Sequence, residues 1–309
     1  MIALMRHATL RQLEVFEAVA RQGSFSRAAA ELGLSQPTVS TQVRKLADEV
    51  GLPLFEPVGR RVRLSEAGKA LFETCQDIFG TLSRFETVVA GLQGLTAGTL
   101  RVAAAPTAKY FIPRFLGQFH RQYPQVKMEL QIVDRNRLLE RLVQQRDDLT
   151  VMSRPPREEG LKAVPFLANP LVAVASIHHP LARQRAIEAE RFAREPLLVR
   201  EAGSGTRQAV EEFFAERNLP LRVEMELPNN EAIKQAVLGG MGVAVLSRHA
   251  LGEGPGEGEL TVLDVAGMPL EGHWYAVLAG RSEPSPLVRA FLDFLLERAR
   301  LQEGRSVAV

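Results

Sequence analysis

Apolar residues fall at helical spacing three times before residue 96, and each time the polar positions between them differ in kind. Leu13, Phe16 and Val19 mark one face of a helix over Thr9–Ala20. Val39, Val43 and Leu46 mark one face of a second segment that opens at Ser35, with Pro37 in its first turn, where a missing N–H is no loss. Between the two, Ser24 caps the alanine-rich stretch Phe25 to Leu32, and Gly33 stops it. Away from the apolar stripe, the segment after Ser35 presents Gln36, Thr38, Ser40, Thr41, Gln42, Arg44 and Lys45. Two short helices meeting at a tight turn, the second with a donor-rich face, are suited to reading base edges and phosphates. The run Leu54 to Leu64, turned at Gly59, predicts a β-hairpin whose Arg60, Arg61 and Arg63 lie along phosphates or a minor groove. The alternative is an ordinary three-helix domain with a solvated basic hairpin. The order of cap, turn glycine, polar face and basic wing favours DNA, with Ser35, Gln36, Pro37, Thr38, Ser40, Thr41, Arg44, Arg60, Arg61 and Arg63 as the contacts.

In the third region Leu71, Ile78, Phe85 and Leu92 repeat every seven residues, and Cys75, Leu82 and Val89 follow the first three of them by four. That seam predicts a helix from Glu66, capped by Ser65, to Leu95, about 45 Å long at 1.5 Å per residue. An apolar seam of this length calls for a partner helix, so two chains are expected to pair along it. The alternative is a helix lying on its own domain. Thr96-Ala97-Gly98 ends the helix.

From Thr99 the pattern changes to short apolar runs alternating with helical stretches. Leu100–Ala104, Val126–Val133 and Leu149–Met152 read as strands, with helices over Ile112–Tyr123 and Leu138–Gln145. A second set follows: strands at Leu171–Ala175, Leu197–Arg200, Arg222–Leu227 and Val243–Leu246, helices at Thr206–Arg217 and Asn230–Leu238, then a strand at Trp274–Leu278 and a helix at Pro286–Arg300. This rhythm predicts two α/β subdomains with largely parallel sheets and a cleft between them. Ligands in such sheets sit at the carboxyl ends of strands, near helix N-termini. The residues so placed are Pro106, Thr107 and Lys109 after the first strand, Arg135 and Asn136 at a helix start, Arg154 after the third strand, the glycine-flanked turn Ser204, Gly205, Thr206 and Arg207, and Asn230. Converging N–H groups, hydroxyls and cations would hold a small anion. The alternative is that Thr107 and Ser204 are only helix caps and the cations face solvent.

Composition narrows the class. At 309 residues and 46% hydrophobic content the chain can bury more than one core, in about two or three domains. The net charge of +2 supplies no global basic field. From Met1 to Ser65, nine Lys/Arg stand against six Asp/Glu, a local excess that suits two heads on two half-sites better than a coating protein. A single cysteine, Cys75, excludes an intrachain disulfide or a cysteine-cluster zinc site. Cys75 reads as a small hydrophobe in the seam. No run reaches transmembrane length and no signal-peptide core is present, so the expected location is the cytoplasm, with no membrane partner. His178-His179 before Pro180 reads as a solvated loop rather than a metal site. No metal and no cofactor are expected, and no catalytic motif is found.

The run SFSRAAAELGLSQPTVSTQVRKLADEVGLPLFEPVGRRVRLSEAG resembles the winged helix-turn-helix of LysR-type transcriptional regulators. Two departures stand out: many members carry arginine where this chain has Thr41 and Pro57. The runs GSGTRQAVEEFF, NNEAIKQAVLGGMGVAVLS and HWYAVLAGRSEPSPLVRAFLDFL resemble one branch of that family, near regulators of carbon-fixation and of cysteine metabolism operons. The resemblance covers nearly the whole chain. It implies an α+β multidomain protein: a winged helix-turn-helix head over 1–65, a linker helix over 66–97 whose pairing makes a dimer, and a periplasmic-binding-protein-like effector domain over 98–302. In that domain subdomain I takes about 98–166 and 267–302 and subdomain II about 167–266, with a flexible tail at 303–309. The implied function is a ligand-responsive, sequence-specific regulator of a metabolic operon. The implied partners are double-stranded promoter DNA, a second copy of the chain as dimer or tetramer, a small anionic effector, and RNA polymerase. A solute-binding protein using only the cleft is the competing reading, and an enzyme on the same subdomains a third.

Overall fold

The protein is described by a computed structural model over residues 8–58, 61–92, 98–252, 257–280 and 283–306; side chains 57, 58, 61, 83, 84, 87, 88, 90–92, 257 and 302–306 lie outside the description. Two units, Met1–Glu86 and Thr87–Val309, each have their own core.

The first unit is set by caps and a small apolar centre. Helix α1 (Leu10–Gln22) opens on a reciprocal Thr9–Gln12 capping box. Helix α2 (Phe25–Leu32) opens on Ser24 and α3 (Gln36–Val50) on Ser35, whose hydroxyls accept from the N–H groups of Arg27 and Thr38. Val15, Val19, Ala28, Ala29, Val39 and Val43 close the core between them; the alanines let α2 approach. Strands β1 (Phe55–Val58) and β2 (Arg61–Leu64) form the wing, with Glu56 opposite Arg63.

Helix α4 (Glu66–Leu92) starts at Ser65, whose Oγ accepts from Gly68 N at 3.0 Å and donates to Pro53 O at 2.5 Å. The first half of the apolar seam is covered within its own unit. Leu71, Cys75 and Ile78 do not wait for a partner chain; they pack on Leu13, Phe16, Leu46 and Leu54 of their own unit. The helices and wing leave an apolar face that the first turns of α4 cover. Burial pushes the Cys75 thiol up to about 12, so it acts as an apolar filler and not as a reactive thiol. Beyond that, Leu82 and Phe85 are 41% and 66% exposed. Val89 is half-buried, and the Leu92 side chain lies outside the described residues.

The second unit holds two five-stranded sheets. In the first, β3 (Gly98–Ala104), β4 (Val126–Ile132) and β5 (Leu149–Met152) pair in parallel, with α5 (Ile112–Gln122) and α6 (Arg135–Val143) between them in sequence. Strand β6 (Leu161–Ala168) completes this sheet from the far side. The chain then leaves to form the second sheet from β7 (Leu171–Ser176), β8 (Leu197–Arg200), β9 (Val223–Leu227), β10 (Val243–Ser247) and β11 (Leu260–Val262), with α7 (Ala189–Phe192), α8 (Gly205–Glu216) and α9 (Asn230–Leu238). It returns as β12 (His273–Ala279), and α10 (Pro286–Ser306) packs back on the first sheet. The orders are β4-β3-β5-β12-β6 and β11-β7-β10-β8-β9.

The sheets are therefore mixed, not largely parallel as the rhythm predicts. Strand β12 runs antiparallel to both β5 and β6, and β7 antiparallel to both β10 and β11. The reason is the double crossing: strands that carry the chain between subdomains must run against the crossover strands they join. Each subdomain keeps a separate core, one around Phe115, Phe119, Trp274 and Phe291, the other around Phe192, Phe213, Phe214 and Val245. No helix among the described residues is long and apolar enough to cross a membrane.

Candidate functional site

The polar face of α3 forms as its sequence requires. With Val39, Val43 and Leu46 turned inward, Gln36, Pro37, Thr38, Thr41 and Arg44 are exposed and Ser40 is half-buried. Ser35 has a structural task as well: its Oγ caps the helix and shares a 2.7 Å hydrogen bond with Thr38 Oγ1. Arg63 is exposed on β2. Among the described residues neither Arg44 nor Arg63 forms an ion pair with a carboxylate, so both charges remain available. Arg60 lies outside the described residues, as does the side chain of Arg61.

The second site lies between the two sheets. The parallel strands β3 and β5 of one subdomain and β8 of the other end here, and α6 and α8 begin here. The cavity is tight, about 30 Å³, and its lining includes Pro106, Thr107, Arg135, Ser204, Gly205 and Thr206 from among the expected residues. Its lining also includes Ser153, Arg200, Glu201 and Trp274, which the sequence reading did not single out.

Arg200 is the centre of the site and is 3% exposed. Its Nε and Nη2 donate to the two Glu201 oxygens at 2.6 and 2.7 Å, and its Nη1 donates to Asn230 Oδ1 at 2.9 Å and Thr107 Oγ1 at 3.4 Å. Asn230 Nδ2 also donates to Thr107 Oγ1, at 3.1 Å. Four of the five guanidinium N–H groups are thus engaged among the described residues, leaving one. Thr107 Oγ1, accepting twice, keeps its own proton to donate. Because Thr107 belongs to one subdomain and Asn230 and Arg200 to the other, this network bridges the cleft.

Arg135 on the first turn of α6 supplies uncompensated charge. Its Nη1 donates to the Arg154 carbonyl at 2.8 Å, and no carboxylate among the described residues pairs with it. Burial, and after it the nearby Arg154 charge, push its pKa down. A bound anion would offset this shift by favouring the charged guanidinium. Opposite it, buried Ser204 and Thr206 stand at the N-terminus of α8, and Ser204 makes no side-chain capping bond. Gly205 brings the backbone close to Ser153 across the cleft: a Cβ there would lie 2.7 Å from Ser153 Oγ, so that hydroxyl would have to turn away. Trp274 on β12 is 2% exposed, and its Nε1 is buried with no acceptor among the described residues.

Five expected ligand residues, Lys109, Asn136, Arg154, Arg207 and Asn230, do not line the cavity. Lys109 lies 3.9 Å from Glu231, Arg154 donates to Glu212 at 2.6 Å, Arg207 donates to Glu211 at 2.6 Å, and Asn136 is exposed. In the first three a nearby carboxylate has taken the charge. One of these contacts, Arg154–Glu212, spans the subdomains, as does the neighbouring Tyr110–Glu231 hydrogen bond. Burial and the Glu231 carboxylate together hold the Tyr110 phenol above its ordinary pKa. Asn230 acts one step back, holding Arg200.

Residues 10–69 match the profile described as "Bacterial regulatory helix-turn-helix protein, lysR family", and residues 93–300 match "LysR substrate binding domain". The HTH-type transcriptional activator CmpR of Synechocystis sp. is 48% identical over 291 residues, 94% of this chain and 96% of that protein. The RuBisCO operon transcriptional regulator of Acidithiobacillus ferrooxidans is 47% identical over 291 residues, 94% of each chain. Among solved structures, the Synechocystis PCC6803 CcmR regulatory domain in complex with 2-PG is 41% identical with a TM-score of 0.62, covering 65% of this chain and 97% of that one. CbnR complexed with its target DNA shares the fold at 20% identity and a TM-score of 0.73, over 94% of this chain and 99% of that one.

Proposed function

The chain belongs to the LysR family of transcriptional regulators and is a DNA-binding regulator rather than an enzyme; on that footing we propose that it controls a carbon-fixation operon in response to a small anionic metabolite held in the cleft. The operon follows from the relatives, two of which are a RuBisCO operon regulator and the activator CmpR. The effector class rests on one observation above all. Arg135, which pairs with no carboxylate among the described residues, lines one cavity together with Arg200, the first turn of α8, Thr107, Ser204 and Thr206. The relative holding 2-PG supports the same class.

In this reading residues 1–65 read promoter DNA, 66–97 link and 98–302 sense the effector; the expected flexible tail at 303–309 is in part helix, since α10 runs to Ser306. Self-association through the exposed Leu82 and Phe85 presents two heads to two half-sites about one helical turn apart or a multiple of it. Bridging contacts such as Thr107–Asn230 and Arg154–Glu212 make the subdomain pose sensitive to what lies between them. By linkage, the effector and the operator change each other's affinity by the same factor. RNA polymerase is the further partner on which a regulator of this kind acts, in the cytoplasm. A solute-binding protein using only the cleft has no use for the exposed α3 face and wing.

Calorimetry with 2-phosphoglycolate, sulfate and sugar phosphates tests the sensor. Binding of at least one anion is expected, weakened about tenfold or more, or 1.4 kcal/mol per decade, when Arg135→Ala and Thr206→Ala are combined. Unchanged affinity in that double variant moves the site elsewhere. For the head, gel shifts on the promoter fragment beside the reading frame are the measurement. Arg63→Ala is expected to weaken binding to all sequences and flatten the salt slope by about one unit. Thr38→Ala is expected to relax sequence preference instead. Full affinity with Arg63→Ala and Gln36→Ala together refutes the assigned face.

A further inference from the structure

Trp274 is the only tryptophan of the chain. It stands on β12, opposite Leu167 on β6, in the pair of strands by which the chain passes between its subdomains. Its ring is a core group: it lies 5.1 Å from the Phe111 ring and belongs to the apolar cluster of the first subdomain. A phenylalanine would supply most of that packing. What tryptophan adds is the indole N–H, and here that group is buried without an acceptor among the described residues. Buried indole N–H groups nearly always find a partner, because an unpaired one loses its hydration and receives nothing in return. The same residue lines the cavity with Arg135, Ser204 and Thr206.

We infer that Trp274 donates its indole N–H to the anion bound in the cleft, making it an effector-binding residue as well as a core residue. This rests on the cleft being an anion site, and the two claims can fail separately. The chemistry is complementary to the arginines. An indole N–H carries no net charge, keeps its proton at any pH relevant here, and is held in direction by a ring packed on every side. It selects for an oxygen acceptor at one position rather than for negative charge in general. Because the donor sits on one of the crossing strands, a ligand that engages it holds the two subdomains through their own connection. It thereby adds to the Thr107 and Thr206 contacts reached from either side.

The test uses the full-length protein with 2-phosphoglycolate and sulfate as probes, and compares wild type, Trp274→Phe and Arg135→Ala by calorimetry and thermal melting. Removing an unpaired donor leaves the ligand-free melting temperature equal or higher. Removing a ligand donor weakens binding by roughly ten- to a hundredfold, as expected for a hydrogen bond to a charged group. Trp274→Phe is expected to do both, and the ligand-induced rise in melting temperature is expected to shrink with it. With 15N-labelled tryptophan the wild type has a single indole N–H resonance, which is expected to move downfield and become protected from exchange as the anion saturates. This second measurement stands even if Trp274→Phe melts early. Wild-type affinity in Trp274→Phe, or an indole resonance unmoved at saturation, overturns the inference while a weakened Arg135→Ala leaves the anion site standing. If the wild type binds neither probe, both the site and the inference fall.

Discussion

Arg200→Ala is expected to abolish measurable effector binding, an effect of about a hundredfold or more, and to lower the melting temperature of the effector domain by about 5–10 °C. The side chain is almost fully enclosed, and three groups depend on it: the Glu201 carboxylate, Asn230 Oδ1 and Thr107 Oγ1. Removing one partner of a buried pair leaves the other uncompensated, at about 3–5 kcal/mol in full burial. Glu201 retains 29% side-chain exposure, so about 2–3 kcal/mol is the reasonable figure here, and each kcal/mol moves the melting point by about 2–4 °C in a domain of this size. The effect on binding is larger because the sign of the site changes. Without Arg200, Glu201 lines the cavity as an unpaired negative charge facing the anion. Arg200→Lys is expected to recover part of the stability and little of the affinity, since an ammonium cannot span both Glu201 oxygens and reach Asn230. Calorimetry and differential scanning on the three proteins check this; affinity within threefold of wild type in Arg200→Ala refutes the assignment.

The second large effect is expected in the head. At Gly68, on the first turn of α4, an added Cβ would lie 2.0 Å from the Leu54 carbonyl oxygen and 3.0 Å from Leu64 Cδ2. The clash is with backbone, which cannot swing aside. The same stretch is already committed: Ser65 N donates to Leu54 O at 3.1 Å, and Ser65 Oγ donates to Pro53 O. Gly68→Ala must therefore lift α4 away from the wing and draw Leu71 and Cys75 out of the core they close. Overpacking against backbone costs about 3 kcal/mol or more, a large share of what a small domain has. Operator binding is expected to be lost at 37 °C, while anion binding, which belongs to the other unit, stays at the wild-type value. A Gly68→Ala protein that shifts promoter DNA normally would show that the contact is relieved by movement elsewhere.

What was legible in the sequence was local in origin. Ser24, Ser35 and Ser65 act within three residues of themselves, so each cap could be read directly, and strands Leu149–Met152 and Leu197–Arg200 and helix Asn230–Leu238 fall where their patterns place them. What was not legible depends on contacts far along the chain. Strand β6 carries Lys162 and Pro165 and has no crossover helix before it, so it has no rhythm to announce it. Its place is decided by β12, more than a hundred residues later. Arg200 reads as the last residue of a buried strand; its position at a strand's carboxyl end was the available signal. Its partners Asn230 and Thr107 lie 30 and 93 residues away. Lys109, Arg154 and Arg207 show the opposite case: a cation after a strand or at a helix start reads as a ligand until the carboxylate near it in space is known. For Arg207 that carboxylate, Glu211, is one turn on and could have been weighed. In the first half of the seam Leu71, Cys75 and Ile78 pack on their own unit, because periodicity marks an apolar face without saying what covers it.

The place of β12 between β5 and β6 also constrains how the protein is made. The first sheet is discontinuous in sequence, and its inner strand is among the last segments to leave the ribosome. Until residues 273–279 are synthesised, β5 has an open edge and β6 has no neighbour, while every strand of the second sheet is already available. Assembly during translation therefore runs from the head to the inserted subdomain and only then to the subdomain that frames it. The cleft comes into existence at that final step, together with Trp274 and the closing helix α10. A chain cut short before that strand keeps all the residues of the first unit and leaves the edge of β5 unpaired, the kind of exposed edge that invites pairing with another chain.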